Sequence, residues 1–125
     1  MVIVMNKDFP YYLSKFLNNY LVVERNMSSN TIKSYKKVFQ IFIDYLVNIK
    51  NISLNNITFK NITREIVLDF LNYLEEEKKN SIRTRNQRLA CIKSFYQFCL
   101  IDEIENMENI RKVLSIRIKK YVESN

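Results

Sequence analysis

The sequence predicts an all-α fold, a compact bundle of four main helices followed by a fifth, C-terminal helix. Apolar residues recur at intervals of three and four along nearly the whole chain, which is the period of amphipathic helices. Glycine is absent and proline occurs once in 125 residues, whereas tight β-hairpin turns need residues that readily adopt positive φ. Because 47% of the residues are hydrophobic, the chain can bury the core of a single domain spanning residues 1–125.

The first predicted helix covers residues 9–24. Asp8 precedes it as an N-cap, and Pro10 falls in its first turn, where a missing N–H group leaves no hydrogen bond unmade. The apolar stripe of this helix consists of Leu13, Phe16, Leu17, Tyr20 and Leu21.

The second predicted helix covers residues 30–49 and is capped by Ser28 or Ser29. Its stripe comprises Ile32, Tyr35, Phe39, Phe42, Leu46 and Ile49. A polar stretch, residues 51–61, follows and is long for a connection within a bundle, so we expect it to pack on the surface or hold a short turn. The isolated apolar anchors of this stretch are Leu54, Ile57 and Phe59.

The third predicted helix covers residues 64–79 with Thr63 as its cap, and the fourth covers residues 82–101 with Ser81 as its cap. The stripe of the third helix comprises Ile66, Val67, Phe70, Leu71 and Leu74. The inward residues of the fourth helix are Leu89, Ile92, Phe95, Tyr96 and Cys99.

A fifth amphipathic stretch covers residues 104–118, and its period leaves open whether it docks on the main bundle, residues 8–101, or trails from it. Residues 102–125 are accordingly a C-terminal helix or a linker. The stripe of this stretch comprises Ile104, Met107, Ile110, Leu114 and Ile118. The one candidate strand, residues 2–5, is better interpreted as a frayed terminus.

The positive charge is concentrated in two helices. The chain carries 20 basic and 13 acidic residues, a net charge of +7. Residues 28–50 contain four lysines and one aspartate, a net charge of +3, and residues 81–101 contain four basic residues and no acid, a net charge of +4. The second and fourth helices thus account for the whole excess, which indicates an anionic partner such as nucleic acid.

Both basic helices open with the pattern S-x-x-T, at Ser28 and at Ser81. Serine is a good N-cap, and the exposed N–H groups of a first turn attract anions. Because lysine suits phosphate groups and Arg, Asn and Gln can read base edges, we predict double-stranded DNA as the partner. The expected exposed face of the fourth helix, opposite Leu89 and Ile92, comprises Ser81, Thr84, Arg85 and Arg88. The predicted phosphate contacts are Lys33, Lys36, Lys37, Arg83, Arg85 and Lys93, the predicted base-edge contacts are Thr84, Asn86 and Arg88, and the polar residues Ser28, Asn30, Thr31 and Ser81 complete the set.

Other kinds of function are excluded by composition. The absence of histidine excludes His-dependent triads and His-ligated metals, and the absence of glycine excludes glycine-rich phosphate loops. Cys91 and Cys99 lie about 12 Å apart if they share a helix, too far to form a disulfide, and are expected to be buried apolar residues. We expect no cofactor, metal, small-molecule ligand, signal peptide or membrane span, and we expect the protein to act in the cytoplasm.

Four segments together resemble a known family. The second helix opens with S-x-N-T-x-x-S-Y at residues 28–35, and the fourth carries S-x-x-T-x-N-x-R-L at residues 81–89, followed by I-K-S-F-Y-Q-F at residues 92–98. With residues 13–24 and 62–74, these motifs resemble, in order and spacing, the core-binding domain of tyrosine recombinases and phage-type integrases. The resemblance covers roughly residues 8–101.

The resemblance implies a SAM-like helical bundle that forms half of a clamp around DNA, with the second and fourth helices facing the duplex and other recombinase subunits as partners on DNA. The family's catalytic residues lie in a separate domain, so none is carried over; Tyr121 lacks the arginines that a nucleophile would need, and the chain alone is expected not to be an enzyme. Residues 102–120 depart from the family because they lack its Gly- and Pro-containing turn. The chain may therefore end in an added helix or be a fragment cut at Asn125.

Two alternatives stay open. The chain may be a helical protein-interaction module that uses residues 102–118 and the Leu54/Ile57/Phe59 loop, in which case the fourth helix is merely solvated. It may also be a stand-alone DNA-binding regulator. Retardation of DNA in a gel separates the first alternative from DNA binding, and only the native reading frame beyond Asn125 separates a regulator from part of a recombinase.

Overall fold

The computed structural model describes residues 7–103 and 105–120, and within these ranges it contains helices and no strand. The helices are α1 (Phe9–Lys15), a π-helix (Phe16–Glu24), α2 (Ser29–Asn48), a short 3-10 helix (Leu54–Asn56), α3 (Arg64–Glu76), α4 (Ile82–Cys99) and α5 (Met107–Leu114). The chain divides into two compact units, one ending at Asn61 and the other beginning at Ile62. The all-α prediction is confirmed.

The first unit begins with a cap that also fixes a loop. Asp8 Oδ1 accepts a hydrogen bond from Phe9 N at 2.6 Å, as the sequence predicted, and a second from Phe59 N at 2.9 Å. Ile57 and Phe59 are almost completely buried, whereas the third expected anchor, Leu54, is 65% exposed. Two of the three predicted anchors therefore hold the loop after α2 in the core of the first unit. The loop also contains the expected short turn, as the 3-10 helix.

The prediction of one α-helix over residues 9–24 was wrong from Phe16 onward, where the helix continues in π geometry. Phe16 and Leu21 are both buried, with exposures of 0% and 1%. Residues five apart point in different directions on an α-helix but lie close together on a helix with i→i+5 bonds. The wider helix thus buries both side chains, and it ends with a hydrogen bond from Arg25 N to Tyr20 O.

Helix α2 matches its predicted bounds to within one residue at each end. Ser28 caps it, and the Ser28 hydroxyl accepts a hydrogen bond from Thr31 N. Phe16 packs against Tyr35 and Phe39 with ring-centroid distances of 5.6 and 6.4 Å. Ile49 lies just beyond the helix and is half-exposed, so the predicted stripe is one residue too long.

The second unit holds α3, α4 and α5. Thr63 and Ser81 cap α3 and α4 as predicted, and all five inward residues predicted for α4 are buried. The expected helix over residues 104–118 is reduced to α5, which docks on the unit through Ile110 and Val113. Ile104 lies outside the described residues, as do residues 2–5 and Tyr121.

Both cysteines are free and buried, as the sequence predicted. Burial raises the pKa of the Cys91 thiol, an effect that the nearby charge of Arg88 partly offsets. Burial also raises the pKa of the Cys99 thiol, and the carboxylates of Glu103 and Asp102 raise it further. Both thiols are therefore held protonated and unreactive in the folded protein.

Candidate nucleic-acid interface

The first turns of α2 carry an unneutralised basic surface. Lys33, Lys36 and Lys37 are all exposed, and none of them forms an ion pair within the described residues. The first turn contains no acidic residue, and the one carboxylate of the helix, Asp44, follows Lys37 by about two turns. These lysines are therefore accessible to solvent, as a phosphate contact requires, and their contact with DNA stays a prediction.

The polar residues in front of these lysines are organised by capping. Ser28 Oγ lies 2.9 Å from Thr31 Oγ1 and accepts from Thr31 N at 3.2 Å. Ser34 Oγ donates to Asn30 O at 3.1 Å. The side chains of Ser28, Asn30 and Ser34 are exposed, so the capped turn itself is accessible to an anion.

The start of α4 repeats this arrangement in the second unit. Ser81 Oγ accepts from Thr84 N and donates to Thr84 Oγ1, both at 3.1 Å. Arg83 is exposed and has no ion pair or hydrogen bond within the described residues. Arg83 is therefore accessible to a ligand, and its predicted phosphate contact stays a prediction.

Arg85 does not lie on an exposed face, and this expectation was wrong. Its side chain is buried, with Nε 3.7 Å from Glu75 Oε2. Position 85 lies four residues before Leu89 and seven before Ile92, so helical spacing itself places it on the buried stripe. The spacing of this residue thus determines its burial, even though its positive charge favours exposure.

Helical spacing also places Arg88 beside the buried stripe of α4, because it precedes Ile92 by four residues and Phe95 by seven. It is half-buried, and its Nε atom is inaccessible to solvent and makes no hydrogen bond within the described residues. Its predicted base-edge contact is not tested by this arrangement and stays a prediction.

Two more of the residues predicted to contact DNA are hydrogen-bonded to the segment 115–119, which we call the C-terminal clasp. Asn86 Nδ2 donates to Lys119 O at 2.8 Å, and Asn86 Oδ1 accepts from Lys119 N at 2.9 Å. Lys93 Nζ donates to Ile116 O at 2.8 Å. Of the polar side chains on α4 predicted to touch DNA, Arg85, Asn86 and Lys93 thus have partners inside their own unit. The sequence did not reveal this because it gives no sign that residues 115–119 pack along α4.

A separate apolar groove of about 460 Å³ lies on the first unit. Its wall is largely apolar, and Leu54, at 65% exposure, stands at its edge. The main lining residues are Phe9, Pro10, Leu13, Leu17, Ile43 and Leu54.

Within the described part of the chain, we find neither a cluster of metal-ligating side chains nor a membrane-spanning helix. Residues 7–103 and 105–120 contain no group of three or more Cys, Asp or Glu side chains that could hold a metal ion. In the same ranges, every helix is too short or too polar to traverse a bilayer.

The helical bundle with these two capped, basic helix starts belongs to a known domain family. Residues 13–103 match the phage integrase N-terminal SAM-like domain, and because this match covers most of the chain, the chain belongs to that family. The resemblance seen in the sequence is therefore confirmed, as is the SAM-like fold class. The matched domain is distinct from the family's catalytic domain, so these 125 residues contain no catalytic domain.

Two relatives come from Sinorhizobium fredii strain NGR234, and both are described as candidate integrase/recombinases. The first, y4rC, is 28% identical over 109 residues, which cover 87% of this chain and 33% of the relative. The second, y4rD, is 29% identical over 108 residues, which cover 86% of this chain and 38% of the relative. The chain thus spans about a third of the length of the first relative and less than two fifths of the second. No solved structure matches the chain significantly.

Proposed function

We propose that this chain is a DNA-binding core-binding domain that serves site-specific recombination or integration in the cytoplasm. The observation that carries the proposal is the set of three exposed, unpaired lysines on α2, in a chain that belongs to the integrase N-terminal SAM-like family. Exposed cations without acidic partners supply the salt-dependent affinity that proteins have for the phosphate backbone. Arg83, behind the Ser81 cap, contributes the same kind of contact from the second unit.

The proposed contacts differ in kind. Lys33, Lys36, Lys37 and Arg83 contact phosphates, and the capped first turns at Ser28, Asn30 and Thr31, and at Ser81 and Thr84, present polar groups and backbone N–H donors beside them. Other recombinase subunits bind the same DNA, and the cutting and rejoining of strands belong to a separate catalytic domain. Alone, the domain binds duplex DNA with a Kd on the order of micromolar or weaker at physiological salt, as expected for binding dominated by phosphate contacts.

The test is a salt series of duplex-DNA binding by the wild type and by Lys33→Ala/Lys36→Ala/Lys37→Ala. Each lost phosphate contact lowers the slope of log K against log salt by about 0.9, so the variant should lose up to about 3 from the slope. A matched control removes the same charge from exposed positions outside both helix starts and should keep most of the slope. Equal losses in the variant and the control would show that net charge alone is responsible. The control is Lys7→Ala/Lys60→Ala/Arg111→Ala.

A second candidate, a protein-interaction module, is favoured by the apolar groove with Leu54 at its edge. It is weakened by the burial of Ile57 and Phe59, which removes two of the three loop residues expected to touch a partner. In this case the wild type fails to retard DNA and sediments as a stable complex or dimer, and Leu54→Ser disrupts that assembly. A stand-alone DNA-binding regulator shares the DNA-binding results of the main proposal and differs from it only in lacking a catalytic partner domain in its gene.

A further inference from the structure

The side chain of Asn86 forms hydrogen bonds with both backbone polar groups of Lys119. Its Nδ2 donates to Lys119 O and its Oδ1 accepts from Lys119 N. Arg85 also donates to Asn86 Oδ1, at 3.0 Å. Because an amide oxygen has two lone pairs, both are occupied. The acceptor that an asparagine offers to the edge of adenine is therefore fully engaged within the same chain, and one of its two N–H donors is bound to Lys119 O.

The clasp runs antiparallel to α4, and its residues 116–119 lie outside any helix. Asn86 and Lys93 are seven residues apart, about 10.5 Å along a helix that rises about 1.5 Å per residue. Their partners, Lys119 and Ile116, are three residues apart and in the opposite order, and three extended residues span about 10 Å. The two lengths agree, so three residues of the clasp can span the distance between its two contacts on α4.

Further contacts fix both ends of the clasp. Ile116 is 1% exposed, and Arg64 Nε donates to Ser115 Oγ at 3.2 Å. At the other end, Lys119 Nζ lies 3.1 Å from Glu75 Oε1. The clasp is thus held along its length by α3 and α4.

We propose that Asn86 is a positioning residue, which holds the clasp along α4 and sets the direction in which the chain leaves α5. The clasp thereby runs along α4 from Lys93 toward Asn86, that is, toward the N-terminal end of the helix. The effect of Asn86 on DNA is then indirect, in contrast to the base-edge contact that its residue type suggests. Only the statement about DNA rests on the proposed function, because the contacts between Asn86 and the clasp lie within one chain.

Limited trypsin digestion of the full 125-residue chain tests the clasp without DNA. The measured quantity is the cleavage rate of the Arg117–Ile118 bond, followed by mass spectrometry. Asn86→Ala removes both hydrogen bonds to Lys119 and should accelerate this cleavage about tenfold. Asn86→Asp keeps an acceptor for Lys119 N–H and should give an intermediate rate, whereas the exposed neighbour Gln87 should tolerate Gln87→Ala without change. Wild-type cleavage rates in Asn86→Ala would overturn the proposal.

A second experiment separates positioning from base reading. Lys119→Pro removes the N–H donor of the clasp and the Lys119–Glu75 ion pair, and it leaves the Asn86 side chain intact. If Asn86 acts through the clasp, both single variants and their double variant select the same sequences from a randomised duplex pool, because each of them loosens the clasp. A preference that is lost in Asn86→Ala but kept in Lys119→Pro would refute positioning. If no form binds DNA, the proposed function fails, while the trypsin rates still decide whether Asn86 holds the clasp.

Discussion

The buried pair of Arg85 and Glu75 should respond very differently to the loss of each partner. The side chains of Arg85 and Glu75 are 7% and 18% exposed, and Arg85 Nε lies 3.7 Å from Glu75 Oε2. Glu75 has a second cation, Lys119, at 3.1 Å, whereas Arg85 donates a hydrogen bond to Asn86 Oδ1 and its Nε makes no hydrogen bond within the described residues. Removing Glu75 thus leaves a buried guanidinium without a carboxylate, but removing Arg85 leaves Glu75 paired and partly solvated.

The magnitudes follow from this asymmetry. Glu75→Ala should lower the free energy of unfolding by about 3 kcal/mol, the low end for a broken buried pair, because Glu75 retains some contact with water. Arg85→Met should change it by less than about 1 kcal/mol, because Met continues the apolar stripe of α4 at similar length. The difference of about 2 kcal/mol corresponds to roughly 30-fold in the folding equilibrium.

Urea denaturation followed by circular dichroism measures both free energies, and Arg83→Met serves as the exposed control on the same helix, with an expected change within about 0.5 kcal/mol. Arg85→Met should also bind duplex DNA like the wild type, since Arg85 is structural. The reasoning is refuted if Glu75→Ala stays within 0.5 kcal/mol of the wild type, or if Arg85→Met is the more destabilised of the two.

Other outcomes follow from the caps and the thiols. Asp8→Ala should destabilise the chain by about 1–2 kcal/mol in urea, because it removes the acceptor for both Phe9 N and Phe59 N, and a loss no greater than that of an exposed Asp44→Ala control would contradict this. The folded state raises the pKa of Cys99 above its unfolded value, so its contribution to stability is complete below the unfolded pKa, about 8.5, and falls as the pH rises further. Unfolding midpoints should therefore decline between about pH 8 and 10 in the wild type and less so in Cys99→Ala; parallel profiles would show that another group is responsible. Alkylation of Cys99 at pH 8 should proceed only as fast as unfolding.

Most of the fold could be predicted from local signals, because these act over one or two turns. Asp8, Ser28, Thr63 and Ser81 all cap helices as expected, since a cap depends only on the side chain and the next three residues. The π-helix after Phe16 could not be predicted from α-periodicity, because it reflects which side chains the packed core accepts.

The site was predictable only where side chains face solvent. The three lysines of α2 are exposed as expected, whereas Arg85 is buried because its spacing from Leu89 places it on the apolar stripe despite its charge. Asn86 and Lys93 bond to backbone groups that lie 33 and 23 residues further along the chain, respectively. Such long-range contacts depend on how the chain packs after α5, which a local pattern does not specify.

Mapping of backbone amide shifts during titration with duplex DNA tests the central claim most directly. The account predicts that the largest shifts fall at the two capped starts, residues 28–37 and 81–84, and that they decline as salt is raised. Shifts centred on the apolar groove around Leu54, or no shifts at low salt, would contradict the claim that this domain binds DNA through its basic helix starts.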